Sequence, residues 1–416
     1  MLRQLSLALA IACLSLSALH AQANPIPERM WPVNTSGYDL VNILLLGMGS
    51  YSDNGLTDAM MILSLNRTTR TAAILSIPRD LYVYVLGGYG MRKLNQVYYL
   101  VNRDGRDGLL WLKETILYNL GVTIHHHVRT NFSGFAALVD ALGGIDISVD
   151  CALQDWKLKA PDLDRANPEN WERFTLDVGV HRLDGATALW YARSRMSSND
   201  FDRGRRHQDL LRAIWRRVRQ ANWLADIPRL WQMLSPYVQT DITLDQALSF
   251  LPLALEMEAN GLSYYTFTQG QEVTRGYTDG EGQFILNIQR APTFALMQAF
   301  VTPPTASQFR ALRPTVAVIN ESGAPNLARV AADRLELEGF IVTLLGDGPK
   351  LRRYNKIVDH VGAEKGNPLP ILQRTLRVTD QGVEIAPDAN RAYDYTVYVG
   401  ALYASFACTR PVLPPS

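Results

Sequence analysis

A net excess of either charge is missing from this chain. With 41 Lys and Arg against 40 Asp and Glu, the formal charge of its 416 residues is +1. That balance argues against nucleic acid as a partner, because nucleic-acid-binding domains usually carry a marked basic excess. Long apolar runs are scarce too. The first, residues 5–19, is short of the roughly 20 residues that a membrane span needs. Arg3 precedes it and the small-residue stretch Ala21-Gln-Ala23 follows, so residues 1–23 read as a signal peptide cut after Ala23, with an uncleaved anchor as the other reading. Cysteine is the third scarcity. Cys13 lies in the leader behind Ala10-Ile-Ala, a poor small-residue box for a lipoprotein cut. Cleavage leaves Cys151 and Cys408, which either pair across domains in an oxidising compartment or stay as two lone buried thiols.

What is present is enough apolar material, 47% of residues, for one full core and more plausibly two. A linker, 24–40, precedes a first domain expected over 41–270. The run Val41-Asn-Ile-Leu-Leu-Leu-Gly47 has the continuous apolar character of a central strand buried on both faces. A second run follows Thr57-Asp58, and a third, 71–77, ends in Pro78-Arg79-Asp80. Arg79 and Asp80 therefore sit at a strand's carboxyl end, where open α/β sheets place ligand crevices. Helical patterns cover 109–120 and 134–142, the second stopped by Gly143-Gly144. Residues 145–149 alternate as a strand. His125, His126 and His127 are consecutive, so in a strand at most two face one ion, and no metal role is assigned to them. Gly-rich residues 276–282 and Pro303-Pro304 suggest a linker over 271–313. A smaller α/β domain is expected over 314–416, opening with a strand-helix-strand unit and closing on a strand at 395–400. It shows no convincing charged cluster and reads as a binding or packing module.

The densest chemistry lies in Asp200-Phe-Asp-Arg-Gly-Arg-Arg-His-Gln208 and the residues before it. The stretch 188–195 reads as a buried strand whose Arg193 and Arg195, two apart, point to one side. A helix follows, on which Arg203, Arg206 and His207 share a face near the amino-terminal end. Several guanidinium groups beside a helix N-terminus suit a multiply charged anion such as a phosphate or diphosphate.

Taken in order, Asn42-Ile-Leu-Leu-Leu-Gly47, Thr57-Asp58-Ala-Met-Met, Ser76-Ile-Pro-Arg79-Asp80, Lys93-Leu-Asn95, Leu138-Val-Asp-Ala-Leu-Gly-Gly144, Leu183-Asp-Gly185, Ala192-Arg193-Ser-Arg195 and Asp200-x-x-Arg203-x-x-Arg206 resemble the LytR-CpsA-Psr family of cell-wall glycopolymer transferases, over roughly 41–218. The resemblance implies a three-layer α/β/α sandwich core with a lipid tunnel, and an extracytoplasmic protein, secreted or membrane-associated at the cell envelope. It implies a polyprenyl phosphate or diphosphate in that tunnel and transfer of its glycan to peptidoglycan with Mg2+, at a membrane surface and without nucleic acid. Arg79, Arg193, Arg195 and Arg203 fall on the family's phosphate-binding arginines and are the expected catalytic set. Asp80, Lys93, Asn95, Arg206, His207 and Gln208 are expected substrate contacts, and Asp58 a magnesium ligand. The pattern is broken at Gly49 and Leu56, where the family usually has an aspartate and an arginine. Asp53 is the candidate replacement carboxylate. His207 stands where the family has glutamine, with Gln208 next. The alternative implied by a reduced site is a polyprenyl-diphosphate hydrolase or a non-catalytic lipid-phosphate binder. The tunnel is expected under helices 111–120 and 132–142, opening beside Arg79.

Overall fold

The computed structural model describes residues 26–406, apart from 50–54, 161, 196–199, 222–225, 257–261, 279, 281, 303–312 and 363–366. The leader, Cys13, Asp53 and Cys408 lie outside the described residues. Three strands open the first domain: β1 (Leu40–Met48), β2 (Thr57–Asn66) and β3 (Thr71–Ser76). They form an antiparallel meander with Leu44 opposite Ile62 and Leu63 opposite Ile74. A hairpin, β4 (Leu81–Val85) and β5 (Gly90–Lys93), leads into α1 (Leu94–Arg103) and α2 (Gly108–Leu120). In α1, Leu94, Val97, Tyr98 and Val101 are buried at helical spacing, an amphipathic signal that the sequence reading passed over. Asp107 caps α2 by accepting hydrogen bonds from the Leu109 and Leu110 amides, and Gly121 ends it at φ 73°, a left-handed conformation that favours glycine.

The chain then returns through β6 (His126–Thr130), parallel to β1, and enters α3 (Phe132–Ala141). Two antiparallel pairs follow outside the main sheet. β7 (Ile145–Val149) pairs with β10 (Gly179–Leu183), and β8 (Leu153–Leu158) with β9 (Trp171–Leu176). Next come α4 (Gly185–Arg193), α5 (Asp200–Gln220), α6 (Ile227–Leu234), β11 (Gln239–Thr240), α7 (Leu244–Ser249), α8 (Leu251–Glu256) and β12 (Leu262–Thr266). The main sheet runs β11-β6-β1-β2-β3-β12. One of its faces, through Leu44, Leu46 and Ile62, packs on Val97, Leu112 and Ile116 of α1 and α2. The other, through Ile43, Met61 and Leu65, meets Leu211 and Trp215 of α5 and Leu253 of α8. This is the expected three-layer α/β/α core. Apart from Asn42, β1 carries no polar side chain because both of its faces are covered.

Residues 188–193 are a correction: they are helical, not a strand. Asp184 caps α4 by accepting a hydrogen bond from the Thr187 amide at 2.7 Å. The cap and the alanine content of the segment favour helix, and a fully buried apolar run carries no period to tell the two apart. Gly185 is needed here for another reason. A Cβ at that position would lie 2.1 Å from the Ala136 carbonyl oxygen, so its absence lets α4 settle directly on α3.

The stretch 271–313, expected to be a linker, holds β13 (Val273–Tyr277), β14 (Phe284–Ile288) and α9 (Arg290–Val301). β14 pairs parallel with β4, and Met297 and Phe300 of α9 enter the core beside α1 and α2. These elements therefore belong to the first domain. The second domain contains β15 (Thr315–Asn320), α10 (Leu327–Leu337), β16 (Ile341–Asp347), β17 (Lys356–Asp359), α11 (Leu369–Leu376), β18 (Val383–Ile385) and β19 (Tyr395–Val399). Its sheet order is β16-β15-β19-β17-β18. Among the described residues, no helix is long and apolar enough to cross a membrane. Cys151 is disulfide-bonded, with its partner outside the described residues.

Contrary to the sequence reading, the second domain does carry a charged cluster, and it faces the first domain. Asp333 on α10 accepts a two-pronged hydrogen bond from Arg216 of α5, at 2.7 and 2.9 Å. Glu336 accepts from Arg212 at 3.0 Å and from Arg216 at 2.7 Å, and Ser148 of β7 bonds Asp333 as well. One turn away on α5, Asp209 lies 3.5 Å from Arg212. Burial, helped by Asp150, raises the Asp209 pKa to about 6 against the pull of Arg212. Folded Asp209 thus holds its proton in a window, from about pH 4 to 6, where the unfolded chain has lost it. This group's contribution to stability therefore falls as pH rises through that window. Asp209→Asn is expected to remove that component. In urea melts from pH 4 to 7, wild type relative to the variant should lose stability as pH rises, and parallel curves would refute the assignment.

Candidate functional site

Strand ends and helix ends converge at one edge of the main sheet. The amino-terminal end of β2 supplies Asp58, and the turn after antiparallel β3 supplies Arg79 and Asp80. Arg79 donates from Nη1 to Asp58 Oδ1 at 3.0 Å, and its Nε lies 3.3 Å from Asp80 Oδ2. Asp80 in turn receives Lys93 Nζ at 3.1 Å. Asp80 and Lys93 thus form a charged prop behind Arg79. Asn95 acts through its backbone: its amide donates to the Arg79 carbonyl at 3.1 Å, and its own carbonyl accepts from Thr57 Oγ1 at 3.3 Å.

The opposite wall comes from α4 and α5. Arg193 ends α4 with its guanidinium carbon 4.2 Å from the centre of the Phe132 ring. Asp155 of β8 then fixes the chain, its Oδ2 accepting from Ser194 Oγ and from the Arg195 amide, both at 2.8 Å. Arg206 turns back to donate to the Ser194 carbonyl at 2.5 Å and lies over the Tyr191 ring. Burial lowers its pKa. Gln208 donates to the Tyr265 carbonyl at 2.9 Å, and Ser76 Oγ to the Gly204 carbonyl at 3.2 Å, which pins α5 to the sheet edge. His207 Nε2–H donates to the Ala192 carbonyl at 3.1 Å. Burial, with Arg203 beside it, pushes the His207 pKa down to about 3, so the imidazole is neutral at physiological pH.

Between these walls lies a cavity of about 540 Å³. Its mouth is lined by Asp58, Asp155, Arg193, Arg195, Arg203 and His207, and its interior is apolar, with Leu45, Met61, Val128, Phe135, Leu138 and Leu211. Packed cores rarely leave voids much larger than a water molecule. The roof differs from the expected one. α3, α4 and α5 enclose the cavity, whereas residues 111–120 of α2 cover the opposite face of the sheet. Arg79 does not line the large cavity. It reaches an adjoining space of about 30 Å³ whose walls include Asp58, Arg203 and His207.

Of the residues singled out in the sequence, Asp58, Arg193, Arg195, Arg203 and His207 meet at the mouth, and Arg79 joins them through Asp58. Asp80, Lys93, Asn95, Arg206 and Gln208 stand behind that layer and hold it in place. Asp53 lies outside the described residues. Asp155 was missed; it belongs to no recognised motif, and only the fold carries β8 to the mouth. For a cation, the donor set is thin. No group of three or more His, Cys, Asp or Glu converges on a metal position among the described residues. A Cβ at Gly49 would lie 2.7 Å from Asp58 Oδ2, so a carboxylate there would stand beside Asp58. With glycine in that place, Asp58 is paired with Arg79 instead. Among the described residues, Asp58 is the one carboxylate beside Gly49 that could hold a hard cation, and these residues do not make a preformed cation site.

The fold and site define an α/β/α domain with an apolar cavity that opens among arginines. The chain belongs to the LytR_cpsA_psr family, whose model matches residues 16–292. It is 29% identical over 268 residues to the polyisoprenyl-teichoic acid–peptidoglycan teichoic acid transferase TagU of Oceanobacillus iheyensis, covering 60% of this chain and 78% of that protein. It is 27% identical over 234 residues to TagT of Bacillus subtilis, which bears the same transferase name, covering 54% of this chain and 66% of that one. Among solved structures, B. subtilis TagV matches with a TM-score of 0.52 at 22% identity, covering 64% of this chain and 99% of that one, a likeness of fold.

Proposed function

We propose that this protein is an extracytoplasmic phosphotransferase that moves a glycopolymer from a polyprenyl diphosphate carrier onto peptidoglycan or another cell-envelope acceptor. The observation that carries the reading is the apolar cavity with arginines at its mouth, which gives a lipid tail and its charged head adjoining places. Family membership and the transferase names of the relatives support it. In this reading Arg193, Arg195 and Arg203, with Arg79 from the side, hold the diphosphate oxygens. An acceptor hydroxyl attacks the glycan-bearing phosphorus, and a new P–O bond forms. The bond to the bridging oxygen breaks, the hydroxyl proton passes to solvent, and polyprenyl phosphate leaves. Such transfers need charge held in place more than covalent help, and guanidinium forks supply it. Asp58 is the residue that would hold Mg2+, which when bound neutralises diphosphate charge. The membrane surface at the cell envelope supplies the lipid substrate.

The test is turnover of a lipid-diphosphate glycan by the full chain with and without peptidoglycan. Glycan should appear on the acceptor, and donor should persist when the acceptor is left out. Release without acceptor would make the protein a hydrolase, and an untouched donor in both arms would make it a lipid binder. A second measurement addresses the tail. Leu138→Trp, which narrows the cavity, should raise KM about tenfold for a long-chain donor and leave a short-chain donor unaffected, because each displaced methylene forfeits about 0.8 kcal/mol of burial. Equal effects on both donors would detach the cavity from the lipid.

A further inference from the structure

A second charged cavity, of about 200 Å³, lies between α5 and the second domain, and the reaction above makes no use of it. Arg205 of α5 lines it from one side, and Arg334, Arg374 and Arg377 of the second domain from the other, with Asp150 and Thr375 between. Arg334 is already engaged, donating to Glu338 at 2.6 Å with its Nε 3.5 Å from Asp150. Arg374 lies 3.9 Å from Glu338, with its side chain 73% exposed. Arg205 is half-buried and makes no hydrogen bond or ion pair among the described residues. Thr375 has its hydroxyl oxygen buried with no hydrogen-bond partner, which is unfavourable unless something else supplies the bond. Arg377 ends α11 at φ 53°, a left-handed position where glycine or asparagine is far commoner. An arginine at a left-handed position, a guanidinium with no hydrogen bond or ion pair among the described residues and a buried hydroxyl with no hydrogen-bond partner together suit a site that takes an anion.

We propose that this cavity binds a phosphate-type oxyanion between the two domains. Guanidinium forks match the paired oxygens of a phosphate or phosphodiester, and a tetrahedral oxyanion can accept from both domains at once. Arg205 sits two residues beyond Arg203, about 200° around α5 at the helical period, so the two side chains leave the helix on nearly opposite faces. The cavity is therefore separate from the catalytic mouth, and binding there would tie the second domain to the helix that carries Arg203. The ligand chemistry has two sources, free phosphate or a phosphodiester within an anionic polymer.

The proposal does not rest on the transfer reading, because its test needs no turnover. An Arg193→Ala/Arg195→Ala chain, weakened at the catalytic mouth, is titrated calorimetrically with inorganic phosphate and with an oligomer of glycerol phosphate. One saturable site is expected, weakened about tenfold or more by adding Arg205→Gln or Arg374→Glu. Arg374 is exposed enough that its variant should fold whatever happens at Arg205. Tighter binding of the oligomer than of phosphate assigns the site to a polymer phosphodiester, and equal affinity assigns it to free phosphate. Binding that neither added substitution changes, or no binding of either probe, overturns the proposal.

Discussion

Arg193→Ala is expected to lower kcat by about 10²- to 10³-fold while the melting temperature moves by only a degree or two. The two magnitudes separate because the side chain has little to do for the fold. It is exposed, makes no ion pair among the described residues, and rests on the Phe132 ring, a cation–π contact worth about 0.5–1 kcal/mol at such a site. At the cavity mouth the same guanidinium faces the place where charge would build on a transferring phosphoryl group. A fixed donor there stabilises the transition state more than the ground state, so the loss should fall on kcat and on kcat/KM together. Arg193→Lys keeps the charge but loses the fork, and should recover part of the rate. A rise in KM at unchanged kcat would make Arg193 a ground-state anchor. Loss of activity in step with loss of melting temperature would make it structural.

The sequence shows the site's chemistry more plainly than its shape. Arg79 and Asp80 were legible because a proline stops β3 just ahead of them, and the apolar runs of β1 to β3 left little choice of element. The face of the sheet carrying the cavity was not legible. β1 is apolar on both sides, so its pattern cannot say whether α2 or α3 roofs the lipid-sized space. The same ambiguity hid α4, where buried residues follow one another without a period. Asp155 and the contact between α5 and α10 depend on residues far apart in the chain, and no local pattern encodes them.

That last contact has the largest expected effect on stability. Asp333→Ala should cost about 3–5 kcal/mol, because it strips the main counter-charge from two arginines, of which Arg212 is 7% exposed. An exposed ion pair would be worth at most about 1 kcal/mol, so a small loss in urea unfolding would show that the cluster is solvated in practice. The dependence on pH gives an independent check. Burial pushes the Asp333 carboxyl up, but Arg212, the Arg216 fork and Arg329 outweigh it and hold the pKa at about 2. A depressed carboxyl contributes its stability in full above its ordinary value near 4 and loses it as pH falls toward 2, so wild type should converge on the variant in acid. Asp209 acts in the opposite sense in the window just above, which keeps the two groups distinguishable. Pairing Asp333→Ala with Arg216→Ala should give a coupling above about 1 kcal/mol, since the residues share a two-pronged bond. The substitution should also slow turnover. α5 carries Arg203 near its start and is gripped by α10 through Arg212 and Arg216 further along, so loosening the grip frees the helix that presents the arginine. If Asp333→Ala lost stability yet kept its full rate below the melting transition, the second domain would be a stabilising partner only, without a part in positioning the site.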